Sequence, residues 1–452
     1  MRIGIALLVI TDLVIRITDL RAHYTNQGIW PTELVRNFGW NTGYWSLHVI
    51  SGTASFQFAL FGLHFIFAFL LLVGYKTRLF TILTWLLTIS LHNRNLFILQ
   101  AGDDLLRLVL SWGVFLPWHS YYSLDGRSEH ARSYPSPLAN IGYLVLIASV
   151  YFFSAIHKNS ADWHKEGSAV YYALSLEQLR LPMGDWIYGF PTLLKLFTWS
   201  VLNLEYLVAP LILIPSKNGI FRLIAFILIF ILHLGIGFTL YVGLFFLISI
   251  VSAIGLLPAF AMDKLEKTFR IKRNITTVGK SIGKIFPWMN SSACVLLVFL
   301  CLMVNLATVS WFRFELRDEP VIVSNILRLN QYWGMFSPGV LRKDGWFVYY
   351  GRDSIGRQWD LRRNQDYVDF SKPGRIVSLY KNDRWRKLAE NLQTERYTFL
   401  RPLYCRYLLS IWNKNHPEKK MASLSVYFME KENLPGYKTT EPLKILHCAC
   451  YE

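Results

Sequence analysis

Long apolar stretches recur through the first two-thirds of this chain and constrain its fold more than any other feature. A helix needs about 20 apolar residues to cross a hydrocarbon core. Ala54–Val73, Leu138–Ile156, Ile220–Phe238, Tyr241–Leu257 and Ser292–Phe312 come close to that length. Ile5–Leu20 and Thr198–Ile214 do so with polar breaks, and Leu79–Leu91 and Leu105–Pro117 are short enough to read as half-helices or a tightly packed pair. So many apolar runs in one chain argue against a set of buried helices in a soluble protein. From Arg313 onward charges return every few residues. The fold class read from this pattern is an α-helical polytopic membrane protein over residues 1–312, with about eight or nine transmembrane helices, followed by a small α+β extramembrane domain over residues 313–452. Asp12, Arg16 and Asp19 interrupt the first run and no small-residue cleavage site follows, so it reads as a retained span rather than a signal peptide.

Charge sets the expected orientation. The formal net charge is +17, and short cytoplasmic loops concentrate Lys and Arg. Lys264, Lys267, Arg270, Lys272, Arg273, Lys280 and Lys284 against Asp263 and Glu266 mark the strongest such loop. Counting spans from it places Lys76, Arg78, Arg127, Arg132 and, with nine spans, the N-terminus in the cytoplasm, and the domain after Arg313 on the periplasmic, lumenal or extracellular side. Part of the excess of positive charge is these loops and part is the C-terminal domain, with 24 Lys and Arg against 16 Asp and Glu; no nucleic-acid partner is expected, because no basic module stands apart from the spans.

In the C-terminal part, Pro320–Ser324, Gly345–Tyr350, Gln358–Leu361, Arg375–Tyr380, Ala422–Phe428 and Pro442–Cys450 read as strands. Trp385–Thr394 and Tyr397–Lys414 read as helices. Of the five cysteines, Cys294 and Cys301 share a helix face as small packing residues. Cys448 and Cys450, beside His447 and with Cys405 elsewhere in the domain, form a weak metal or redox signal. No four-ligand zinc pattern exists, so no metal is expected.

Ionisable residues within spans are costly and mark candidate functional sites. They form four groups: Arg16, Asp19, Arg21 and His23; His92, Arg94, Asp103, Asp104 and Arg107; His157, Lys158, Asp162 and His164; and Glu205 with His233. Each also has a structural reading. Asp103 with Arg107, and Lys158 with Asp162, are spaced for ion pairs on one helix face; Arg16 and Asp19 tie helices together; His233 is a hydrogen-bonded core histidine. Lys158 has a sharper alternative. An amine at the edge of an apolar bundle loses hydration, which favours its neutral form, and a neutral amine acts as a base or nucleophile.

The run Val150-Tyr151-Phe152-Phe153-Ser154-Ala155-Ile156-His157-Lys158, continuing without a gap to Asp162-Trp163, resembles the lysine-pair segment of vitamin K-dependent γ-glutamyl carboxylases. Lys158 falls on the lysine that acts there as base toward vitamin K hydroquinone. Ser123-Leu124-Asp125-Gly126 after Tyr121 and Tyr122 resembles a second segment of that family, with His119 on its asparagine and Ser120 where its histidine stands. His233 falls on a third histidine. More widely the chain is similar to the horizontally transferred transmembrane (HTTM) family, which shares this domain. That resemblance is carried by Arg16–Leu20, Ala22–Thr25, Gly74–Arg78, Asn93–Asn95, Gly102–Arg107, Gln331–Pro338 and Asn382–Trp385.

The resemblance implies a carboxylase-like membrane enzyme in which Lys158, held neutral, deprotonates a reduced naphthoquinone. Reaction with oxygen then gives a strongly basic epoxide alkoxide in a water-poor site. Coupled addition of carbon dioxide to a glutamate of a secreted peptide is the family's further step. His233 is the second catalytic residue so implied; His157, Asp162, His119, Arg94, Asp103 and Arg107 are supporting candidates. The implied cofactor is reduced vitamin K with O2 and CO2, and the partners are the bilayer, a lipid-soluble quinol and a secreted peptide. The rival reading is a non-enzymatic maturation or export accessory factor for a secreted peptide. A transporter is disfavoured because no internal repeat is evident.

Overall fold

The computed structural model of the protein describes residues 1–127, 137–270 and 285–452. Lys272, Arg273, Lys280 and Lys284 of the basic loop, and Arg132, lie outside the described residues. The longer helices of the helical part are α1 (Arg2–Ile17), α2 (Ala54–Val73), α3 (Thr77–Arg94), α4 (Ala101–Gly113), α5 (Pro137–His157), α6 (Pro191–Leu213), α7 (Ile220–Thr239), α8 (Phe245–Ala253), α9 (Ala259–Thr268) and α10 (Ile285–Ala307), with shorter helical turns between them. Four of them, α2, α5, α6 and α7, are long and apolar enough to cross a membrane. The segment 245–256 and α9, bent by 111° at the break, make a fifth if counted as one span. The other helices fall short for local reasons. α1 has 16 residues, with Arg2, Asp12 and Arg16 among them, and α4 has only 13, with Asp103, Asp104 and Arg107. α3 is longer than the run expected there, because polar residues from Thr77 to Arg94 continue the helix past the apolar stretch.

The bundle is built around α5. It lies against α6 on one side and α10 on another, while α1 packs on α2 and α6 on α7. Small residues set these approaches. A methyl group on Gly142 of α5 would come within 2.9 Å of the Val298 side chain of α10.

The chain then forms α11 (Asp318–Leu327), where a strand was expected over Pro320–Ser324. Asp318 and Glu319 occupy its first turn, where they complement the helix dipole, and this outweighs the β-branched run that follows. The next segment stays against the helical part: Arg107 donates to the carbonyls of Arg328 and Asn330, and Trp163 to that of Phe336.

The sheet begins at β1 (Lys343–Arg352), followed by β2 (Gln358–Asp360). The strand expected over Arg375–Tyr380 is instead a short 3-10 turn, Val377–Leu379, close behind Pro373 and Gly374. α12 (Asp383–Gln393) and α13 (Leu400–Asn415) precede β3 (Ser423–Leu434), β4 (Lys438–Thr439) and β5 (Leu443–Tyr451). All pairings are antiparallel. β3 is central, with β1 on one side and both β4 and β5 on the other.

Candidate active site

α5 ends at His157, and the backbone leaves the helix before Lys158. Lys158 and Asp162 are therefore not on one helix face, and their expected ion pair is not made. The Lys158 ammonium instead donates to Glu205 of α6, at 2.7 Å to Oε2 and 3.0 Å to Oε1, and to the Ser154 hydroxyl at 2.6 Å. Its Nζ also lies 5.2 Å from the centre of the Trp163 ring. The lysine thus sits in a buried pair with Glu205 rather than alone among apolar side chains. Asp162 accepts from Arg342 at 3.0 Å and from Ser168 at 3.1 Å, and so anchors the chain just after the helix.

Lys158, Ser154 and Glu205 face a cavity of about 860 Å³ whose lining is mostly apolar. His233 of α7 faces the same space. Its Nε2 lies 3.0 Å from the Tyr151 hydroxyl, and its Nδ1 is buried without a partner. Arg386, Lys387 and Glu390 of α12 supply a second charged wall, with Gln100 beside them. The structure thus brings together the two residues singled out as catalytic, Lys158 and His233.

The supporting candidates lie elsewhere, among residues that hold the scaffold. His157 does not line the cavity but lies behind it, with Nε2 at 3.0 Å from Thr308 Oγ1 and its ring against Tyr332, which does line it. Arg94 is fully buried and donates to the carbonyls of Trp30 and Thr25. Arg107 pairs with Asp104 at 2.9 Å rather than with Asp103. Asp103 is drawn away because it sits at the third position of α4 and accepts from the Gln100 backbone at 2.8 Å, closing the helix start. His119 lies beyond the far end of α4, whose 13 residues put it roughly 20 Å along the bundle from Gln100 at the cavity. Asp125, from the motif near it, accepts from the backbone of Lys76 and Thr77 and starts α3.

Arg16 bridges Asp12 at 2.7 Å and Asp103 at 2.5 Å, and Arg384 of α12 completes the box at 2.6 Å to Asp12 and 2.5 Å to Asp103. Asp19 pairs with Lys381, not with Arg16. Asp12, His92 and Asp103 have ligand atoms close enough for a metal, but both carboxylates are taken up by guanidiniums, which is an ion-pair network rather than a coordination site.

In the sheet domain the Cys405 thiol lies within hydrogen-bonding reach of both Cys448 and Cys450. The Cys448 thiol and burial push the Cys405 thiol up to about 12. Burial and nearby Arg401 hold His447 down to about 4. A buried Cys405 thiol so raised packs as a small apolar group.

Glu205 is the central site residue that was not singled out as catalytic. Its signal was present, since a lone carboxylate inside an apolar run has to find a partner. The α12 residues of the cavity carry no such signal, because charges on a soluble amphipathic helix are ordinary. Comparison with protein-family models, curated proteins and solved structures gave no match.

Proposed function

We propose that this protein is a membrane-embedded enzyme of the vitamin K-dependent carboxylase type, one that oxygenates a reduced naphthoquinone in the α5–α6–α7 cavity. The observation that carries the reading is the convergence of Lys158 and His233, from separate helices, on one mostly apolar cavity. The volume, about 860 Å³, is within the range of small-molecule sites, roughly 300–1,000 Å³. The residues fit a quinol: an apolar wall for its rings, and hydroxyl, imidazole and ammonium groups for its oxygens.

The chain's own part is proton handling. Glu205 is placed to take the Lys158 proton over a 2.7 Å hydrogen bond, which frees the amine to act as base while the pair stays neutral overall. His233, oriented by Tyr151, would hold the second oxygen. Oxygen chemistry would come from the bound quinol, and the apolar lining would keep water from the basic product. Carbon dioxide addition to a glutamate of a secreted peptide, with no metal, is the further step of this reading. It takes α1–α7, the bent 245–268 segment and α10 as nine spans, with the N-terminus cytoplasmic and the sheet domain outside.

The test is epoxide formation from vitamin K hydroquinone and oxygen by the purified protein in nanodiscs. Product is expected from the parent and none from the double variant Lys158→Met with Glu205→Leu, in which the buried pair is replaced as a whole and the fold is kept. No product from a folded parent with several naphthoquinols would overturn the reading.

One observation favours the rival reading of an accessory factor. A closed Lys158–Glu205 pair is also what a purely structural link between α5 and α6 looks like. Under that reading, replacing both partners with apolar residues leaves the protein's effect on its secreted client intact.

A further inference from the structure

The cavity has an apolar side made by two helices with matching stripes. On α6 it is lined by Leu196, Phe197, Ser200, Val201 and Leu204, and on α7 by Ile231, Leu232, Gly235, Ile236 and Thr239. Both sets follow the spacing i, i+1, i+4, i+5, i+8, so each is one helix face. Each stripe runs roughly 12 Å along its helix. The stripes reach from the interior to the outer surface: Leu196 is 56% exposed and Ile231 60%, whereas Leu204 and Leu232 are partly buried and His233 is buried. At the rim Gly235 is exposed, and a Cβ built on it meets nothing within 4 Å. Both helices are among the four long and apolar enough to cross a membrane, so a bilayer around them would meet this rim. The lining's charged groups are Lys158, Glu205, Arg386, Lys387 and Glu390, none of them among the residues of the two stripes.

We propose that the slot between α6 and α7 is a lateral portal. Through it a bilayer-soluble amphiphile reaches the cavity, leaving its apolar tail between the two stripes and its polar end at Lys158, Glu205 and His233. The inference rests on the cavity being a ligand site, and not on the oxygen chemistry assigned to it. Apolar walls continuous with the lipid-facing surface let a hydrocarbon chain slide in without desolvating a polar group. A water-soluble ligand gains nothing from such a rim.

The portal is tested by photolabelling in nanodiscs with an aryl-diazirine fatty alcohol dissolved in the lipid, with labelled residues mapped by mass spectrometry. Because no turnover is read, failure here is separate from failure of the epoxide assay. The parent is expected to be labelled on the inner residues Val201, Leu204 and Leu232 as well as on outward positions. Gly235→Trp and, from the opposite helix, Ser200→Phe are expected to cut inner labelling roughly tenfold and to leave outward labelling unchanged. Gly62→Trp is the control, since Gly62 of α2 is equally open but remote from the cavity; it should change nothing. Inner residues unlabelled in the parent, or labelled equally in both plugged variants, would overturn the portal.

Discussion

At the residue scale the Lys158–Glu205 pair separates chemistry from architecture. Removing one partner leaves a buried charge uncompensated, which costs roughly 3–5 kcal/mol. Lys158→Met alone is therefore expected to accumulate poorly and melt early in detergent. Lys158→Met with Glu205→Leu should recover most of that stability, since an apolar replacement of a buried pair is often neutral. The double variant is then folded but unable to form epoxide, whereas a structural role predicts full function. His233 gives an independent check. His233→Leu should lower turnover by about 10²-fold and cost about 1–3 kcal/mol through the Tyr151 hydroxyl left without its partner. Adding Tyr151→Phe should restore the melting temperature and not the turnover. Lys158 and His233 were legible in the sequence because ionisable groups in apolar runs are rare. Glu205 stood out for the same reason, but Ser154 and Tyr151 did not, because they are unremarkable helix residues until α6 and α7 are placed beside them.

At the scale of elements, α12 couples the sheet domain to the bundle. Its Arg384 reaches Asp12 and Asp103 and is itself nearly buried. Arg384→Met should leave those two carboxylates to Arg16 alone and destabilise the protein by roughly 3–5 kcal/mol. Limited proteolysis is the measurement, with faster cleavage near α12 expected and no change refuting the clamp. Helices were largely legible where apolar runs are long, as in Ala54–Val73, which matches α2 residue for residue. The sequence erred where two local signals compete. Pro320–Ser324 is β-branched yet helical because acidic residues start the helix, and Asp103 caps α4 instead of pairing with Arg107.

For the whole molecule, the seam between the helical part and the sheet is sensitive to pH. Asp344 of β1 is fully buried there and accepts from the Glu177 backbone at 2.6 Å, with the Glu177 side chain and Lys431 nearby. Burial pushes its carboxyl up to about 6. A raised acid is held more tightly protonated in the folded state, so its stabilisation is complete below about 4 and is lost as pH rises through about 6. The shift of about two units is worth roughly 3 kcal/mol. Glu177 runs the other way: the Lys372 and Lys431 hydrogen bonds outweigh its burial and lower it, so its contribution is lost as pH falls. The difference between parent and Asp344→Asn isolates the first effect. The parent's melting temperature relative to the variant should drop between pH 4 and pH 7, and a constant difference would exclude it.

The sequence by itself determined that this chain is mostly helical, with apolar helices suited to a membrane and a small sheet domain at its end. Hydrophobic run length and alternation are local properties, written in consecutive residues. It also marked Lys158 and His233, since a charge in an apolar run is visible without any neighbour. Only the tertiary structure decided that the two share a cavity, that Glu205 rather than Asp162 holds the lysine, and that a helix of the sheet domain forms one wall. Those outcomes depend on which helix faces meet and where each helix stops, and contacts between residues far apart in the chain leave no periodic trace in the sequence.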